Sequence, residues 1–173
     1  MHVELRALEL SDANKLYEFF QKLPASENGK HNRAYGLSRK EFTQWVQKEI
    51  DYSQGKNLRE GYVPRTTFVM YVDNIPVGVS NVRHYLNEKL EKYGGHIGIH
   101  ILPEYRGRGY GNIIIMETLQ KAKEMGIQRI LIFHNDDNVS AWRASERAGS
   151  KLDSINIIDG IKVRKYVFDT SRT

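Results

Sequence analysis

The chain has 173 residues, 40% apolar and 27% charged, a length and balance that suit one domain with a real core. It contains no cysteine, which excludes disulfides, thiolate metal sites and a cysteine nucleophile, and fits a reducing compartment. The formal charge of +5 and pI near 9.3 favour an anionic ligand or partner, yet segments such as "RKEF", "NEKLEKY" and "KAKEMG" alternate sign as solvated helix faces do.

The opening "MHVELRALELSDANK" has neither the basic start nor the unbroken apolar run of a signal peptide. No later run approaches the roughly 20 apolar residues of a membrane span, so a cytoplasmic protein without a membrane partner is expected. Residues 2–8 alternate, with Val3, Leu5 and Ala7 on one side, as a half-buried strand does. "SDANKLYEFFQKL" reads as a helix capped by Ser11 or Asp12, burying Ala13, Leu16, Phe20 and Leu23 and stopped by Pro24. "ASENGKHNRAYGL" is polar and glycine-containing, and reads as a loop. Ser38 and Glu41 form a capping-box pattern before a helix that would bury Phe42, Trp45, Val46 and Ile50.

After a second connection, "RTTFVMYV" is a β-branched and aromatic strand, and Asp73-Asn74 turns it into "PVGVSNVRHYL". Leu86, Leu90 and Tyr93 suggest a short helix before Gly94-Gly95. "HIGIHIL" is the next strand, and a helix over roughly 110–125 would bury Ile115, Leu119 and Ala122 and stop at Gly126. "RILIF" is a continuous apolar run suited to a strand buried on both faces. "NDDNVSAWRASERAG" reads as a loop and helix, and "INIIDGIKVRKYVF" as a hairpin with an Asp-Gly turn. This order predicts one mixed α/β (α+β) domain over 1–173 with no linker or repeat.

The stretch "ILPEYRGRGYGNIII" places three glycines and two arginines at a strand-to-helix turn. The first amides of a helix lack intrahelical partners and carry partial positive charge. Glycines remove the Cβ atoms that would hold a ligand off those amides, and Arg106 and Arg108 add charge. The turn is suited to phosphate. It is no Walker loop, since no Gly-Lys-Ser/Thr follows, and "GRGYG" has the wrong spacing for a dinucleotide fingerprint.

"RGRGYG" resembles the Arg/Gln-x-x-Gly-x-Gly/Ala signature of the GNAT acyltransferase superfamily, with Arg106, Gly109 and Gly111 at the defining positions. "NVSAWRASERAGS" resembles a second landmark of that family, with Asn138, Ala141 and Gly149 matching. The element order agrees over essentially the whole chain, and "LNEKLEKYGGHIG" is similar to a branch described as predicted acetyltransferases. The resemblance implies a mostly antiparallel sheet splayed between two central parallel strands, "HIGIHIL" and "RILIF", with about four helices on both faces. It also implies acetyl-CoA as co-substrate and no metal. Backbone groups near Ile99 and Ile101 would pair with the pantetheine arm. Amides of Arg106, Gly107, Arg108, Gly109, Tyr110 and Gly111 would hold the pyrophosphate, and Asn138 would lie near the pantetheine or thiol end.

Transfer to an amine needs a proton acceptor, an oxyanion donor and a proton for the leaving thiolate. A backbone N–H near Ile99 to Ile101 is the expected oxyanion donor. The family often has a tyrosine where this chain has Ser145, a far weaker acid. His96, His100 and His134 are the residues with a suitable pKa, and His96 and His134 are taken as the catalytic pair. Trp45, Tyr35 and Trp142 could line the acceptor pocket, Trp45 and Trp142 being better suited to the core. The expected activity is acetyl transfer to a primary amine on a small molecule. The alternatives are a protein or peptide amine and a non-catalytic acyl-CoA-binding module. A nucleic-acid partner is disfavoured because no dense basic-aromatic stripe exists, and a homodimer is left open.

Overall fold

Three two-residue turns with left-handed backbone organise the hairpins. Asn28-Gly29, Asp73-Asn74 and Asp159-Gly160 have φ of 50° and 76°, 49° and 66°, and 49° and 79°. Paired positive φ matches the right-handed twist of the strands it joins, which is why Asn, Asp and Gly recur there. The structure is a computed structural model that describes residues 1–172. Its strands are β1 (Val3–Ala7), β2 (Ser26–Glu27), β3 (Lys30–His31), β4 (Arg65–Val72), β5 (Ile75–Arg83), β6 (Ile97–Ile101), β7 (Arg129–Asn135), β8 (Lys151–Ile158) and β9 (Ile161–Asp169). The helices are α1 (Ala13–Lys22), α2 (Arg39–Ser53), α3 (Glu88–Lys92), α4 (Tyr110–Glu124) and α5 (Val139–Arg147). The four expected long helices are therefore joined by the short α3.

The segment expected to be a loop before α2 contains the β2–β3 hairpin. Its Asn-Gly turn was the available signal, hidden because the flanking strands are only two residues long. The expected Ser11 or Asp12 cap of α1 is not made, because the Asp12 carboxylate accepts from the Glu9 amide at 2.9 Å one turn earlier; the cap of α2 forms as read. Ser38 Oγ accepts from the Glu41 amide at 3.2 Å and Glu41 returns the bond to the Ser38 amide at 3.0 Å, so α2 starts where the capping box places it.

Strands β1-β4-β5-β6 form one antiparallel sheet and β7-β9-β8 another. Strand β4 is buried on both sides. Val69 and Tyr71 join Phe20, Phe42 and Val46 of the α1/α2 layer, while Phe68 and Met70 join Ile114 and Leu119 of α4. The period-2 alternation thus separates two cores. On α2, Glu49 is buried although it is not part of the expected buried face of Phe42, Trp45, Val46 and Ile50. It accepts two bonds from Arg65, at 3.2 and 2.7 Å, and one from Thr67 at 3.0 Å. Full pairing is what lets a carboxylate remain inside.

Candidate active site between two sheets

The β6–α4–β7 crossover brings β6 and β7 side by side, but among the described residues they form no ladder. They meet only at their base. There the His96 amide donates to Leu131 O at 2.8 Å, and the Leu131 amide donates to His96 Nδ1 at 3.0 Å. Gly95 allows this approach, since its φ is +65° and a Cβ would stand 2.6 Å from Leu131 O. Above that point the sheets part.

The ladder fixes which backbone groups face the gap. Arg83 N–H donates to His96 O at 2.8 Å and Leu102 N–H to Val77 O at 2.9 Å, so even-numbered β6 residues bond to β5. The N–H and C=O groups of Ile99 and Ile101 consequently turn away from β5 toward the opening. Two side chains reach these carbonyls. Lys30 Nζ lies 3.4 Å from Ile99 O, and Arg106 Nε donates to Ile101 O at 3.1 Å.

At one end of the gap lies the glycine-rich turn. Gly107 and Gly109 have φ of +73° and +85°, and nothing lies within 4 Å of a Cβ placed at 107, 109 or 111. Gly109 is the N-cap of α4 and offers no side-chain cap, so the amides of Tyr110 and Gly111 in this 15-residue helix have no capping partner, while that of Asn112 donates to Gly109 O at 3.2 Å. The Arg106 amide is already used, donating to Pro103 O at 3.2 Å, and its guanidinium grips Glu27 of β2 at 2.8 and 2.6 Å. Of the turn's two arginines, Arg108, over the Tyr105 ring at 5.3 Å, has no carboxylate partner among the described residues. This open, uncapped and basic turn fits a pyrophosphate. Tyr110 begins the helix, and the half-buried Asn138 caps α5 by position but makes no side-chain capping bond, its backbone N–H donating to Asn135 O at 3.0 Å.

On the α2 side of the opening is a cavity of about 410 Å³ that reaches both sheets. Trp45, Glu49, Asn81, Gly98 and His100 line one part and Phe133 and Asn135 the other. Trp45 thus serves both the pocket and the aromatic packing on Phe42, at 5.6 Å. Exposed Tyr35 and half-buried Trp142 do not line it, and the indole N–H of Trp142 goes to Asp136 O at 3.0 Å. Lys30, from β3, also lines this cavity. Burial brings its pKa down to about 8, against the raising influence of Glu27.

The three histidines separate into different surroundings. Burial, then the charges of Arg83 and Arg129, push His96 down to about 4. Burial, then Lys30, push His100 to about 4, with Glu27 opposing and Arg106 adding. Burial, then Lys30, take His134 to about 3. All three are neutral at pH 7. His134 Nε2 lies 2.6 Å from Ser145 Oγ, both groups are buried, and His134 Nδ1 has no partner. His134 therefore joins the hydroxyl that replaces the expected tyrosine, His100 joins Lys30 at the cavity, and His96 pins the base of the gap. Sequence reading did not find Lys30, the Glu27–Arg106 pair or the His134–Ser145 contact, which unite residues far apart in the chain.

A pH prediction follows for His96 and His134, both buried. Their folded pKa values lie below the unfolded value of about 6.5, so between that value and pH 4 the unfolded chain binds more protons. Stability is then fully present above about pH 6.5 and declines as pH falls, by a few kcal/mol by pH 4.5. Urea midpoints measured from pH 7.5 to 4.5 should fall, and the double variant H96Q/H134Q should show a flatter profile.

The parted sheet, the cleft-facing strand amides and the uncapped glycine-rich helix start lie along one continuous groove. A family model described as "Acetyltransferase (GNAT) domain" matches residues 2–151, and the chain belongs to the GNAT acetyltransferase family. No curated protein sequence matches it. Solved structures share the fold. The ribosomal L7/L12 alpha-N-protein acetyltransferase RimL, in complex with coenzyme A, has a TM-score of 0.69 at 21% identity over 96% of this chain and 93% of that one. The spermidine N-acetyltransferase of Vibrio cholerae, in complex with CoA and spermine, has 0.64 at 18% over 98% and 96%. A probable acetyltransferase has 0.72 at 15% over 99% and 95%. Among the described residues, no group of three or more His, Cys, Asp or Glu could hold a metal ion, and no helix is long and apolar enough to cross a membrane.

Proposed function

We propose that the protein moves the acetyl group of acetyl-CoA directly to a primary amine on a small molecule, the amine entering through the α2-side cavity. The observation that carries this reading is the single gap that joins three elements. The unsatisfied amides at Gly107 to Gly111 lie at one end, the outward-turned backbone of Ile99 and Ile101 lies along it, and the cavity opens beside it. Acetyl-CoA would supply an activated acetyl group. Gly107, Arg108, Gly109, Tyr110 and Gly111 would hold its pyrophosphate, with Arg106 shaping the turn through Glu27. Ile99 and Ile101 would pair with its arm, and Asn138 would meet it near the thiol.

The protein's own groups divide the proton work. A primary ammonium must lose a proton before it can act as a nucleophile, and the best acceptor is one whose pKa lies near the working pH. Lys30, at about 8 and lining the cavity beside Ile99 O, suits that role better than a histidine held near 4. His134 supports Ser145 on the α5 side, where a proton for the departing thiol would be donated. The bond from Leu131 N–H to His96 Nδ1 favours a positioning part for His96, at the closed base of the gap. Outward backbone N–H groups at Ile99 and Ile101 are suited to an oxygen that gains negative charge.

The test is free-thiol release from acetyl-CoA across small amines, amino acids, aminoglycosides and peptides, with binding followed separately. Turnover with a small amine is the expected result. Tight acetyl-CoA binding with no thiol release from any acceptor would sink the enzymatic reading and leave an acyl-CoA-binding module. Turnover confined to peptides would move the acceptor to a protein amine.

A further inference from the structure

The acceptor cavity is unbalanced in charge. Lys30, Arg33, Arg65, Arg83 and Lys89 contribute to its walls, against Glu49 as the one carboxylate. Glu49 is consumed by Arg65, which holds it through two bonds. Arg83 is half-buried on β5 and donates to Gly95 O at 2.8 Å, a neutral acceptor that leaves its charge uncompensated. Burial and the neighbouring Arg65 both act against that charge, and Arg83 in turn depresses His96. A half-buried cation without a counter-ion, facing a cavity already positive, is a poor neighbour for a second cation and a good one for an anion.

Resting on the acetyltransferase reading, we infer that the acceptor is an amine that also carries a carboxylate or phosphate, which pairs with Arg83 while its amine reaches the parted end of β6. The spacing limits the acceptor's shape. Arg83 bonds to His96 on the ladder, and Ile99 lies three residues further along β6, a distance of roughly 10 Å at strand rise. The anionic group is therefore several bonds from the reacting nitrogen, as in an ω-amino acid or an aminoalkyl phosphate. A polyamine, with cations at both ends, would place one of them against Arg83.

The experiment compares kcat/KM by thiol release for four acceptors of equal chain length: aminohexanoate, aminohexyl phosphate, hexylamine and diaminohexane. At least one anionic amine should exceed hexylamine by about tenfold or more, the effect of one sheltered charge-assisted pair, and diaminohexane should be the poorest. The better of the two anionic amines identifies carboxylate or phosphate. Arg83→Gln should cut the anionic-to-neutral ratio to near one, mostly through KM, and Arg83→Lys should restore part of it. Equal rates for all four, preference for the diamine, or an unaltered ratio in a folded Arg83→Gln would overturn the inference while the enzyme reading stands. Absence of thiol release from every acceptor would overturn both. The comparison of acceptors with the unmodified protein decides the matter even if Arg83→Gln fails to fold.

Discussion

Gly109→Glu is expected to abolish the thermal stabilisation that acetyl-CoA gives the native chain. A ligand present at a hundred times its dissociation constant stabilises the folded state by about 2.7 kcal/mol, or roughly 5–10 °C in Tm for a chain of this size. The substitution acts twice on that increment. Gly109 has φ of +85°, where a Cβ costs about 1 kcal/mol, so the turn must strain or shift. Its carboxylate would then occupy the open space in front of the α4 amides and present like charge to a pyrophosphate. Each lost charge-assisted bond is worth about 1.5–3 kcal/mol, enough to weaken binding by a hundredfold or more overall. Scanning fluorimetry with and without acetyl-CoA checks this, with Gly109→Ala as the strain-only control. A full shift retained by Gly109→Glu would place the pyrophosphate elsewhere. Arg106→Ala should lose less, because its guanidinium is already held by Glu27 and Ile101 O.

What the sequence could disclose was whatever local chemistry decides. The capping box at Ser38, the Asp73-Asn74 and Asp159-Gly160 turns and the β-branched and aromatic run of "RTTFVMYV" each depend on neighbours within a few residues. All appear where they were expected. The "RGRGYG" turn was legible for the same reason. It is a strand end, a run of residues without Cβ, and a helix start. The acceptor side was not legible, because its contacts span the chain. Lys30 meets Ile99 at a separation of 69 residues, and Glu27 meets Arg106 at 79. Nothing in "ENGKH" distinguishes a solvated lysine from one driven into a cleft. The burial of Glu49 was not legible for a related reason, since the β4 partners Arg65 and Thr67 are what make it tolerable. The histidines were found by type, but their division into a pin at His96, a cavity wall at His100 and a hydrogen bond between His134 and Ser145 needed three dimensions.

Lys30→Met is expected to make the protein more stable and much less active. Folding lowers the pKa of Lys30 from 10.5 to about 8, so below pH 8 the native state carries an ammonium it disfavours. The unfolded chain binds that proton more tightly between those two values, and wild-type stability therefore rises as pH climbs through the window. A thioether of similar length removes the penalty. At pH 7 the variant should gain about 1–2 kcal/mol, an advantage that shrinks above pH 8 and vanishes beyond 10.5. Turnover should fall by about 10²–10⁴, the usual contribution of a positioned base, and the rise in rate near pH 8 should disappear. Lys30→Arg separates charge from proton transfer, because a guanidinium keeps the cation but does not give up its proton near neutrality. It should be inactive without being stabilised. Urea titrations at pH 7 and 9.5, beside pH–rate profiles with a saturating amine, measure both quantities. A variant that is more stable and equally active would mean that the cleft tolerates Lys30 without using it. A loss of rate with an unchanged pH profile would give Lys30 a positioning role, by way of Ile99 O, and assign the proton transfer to another group.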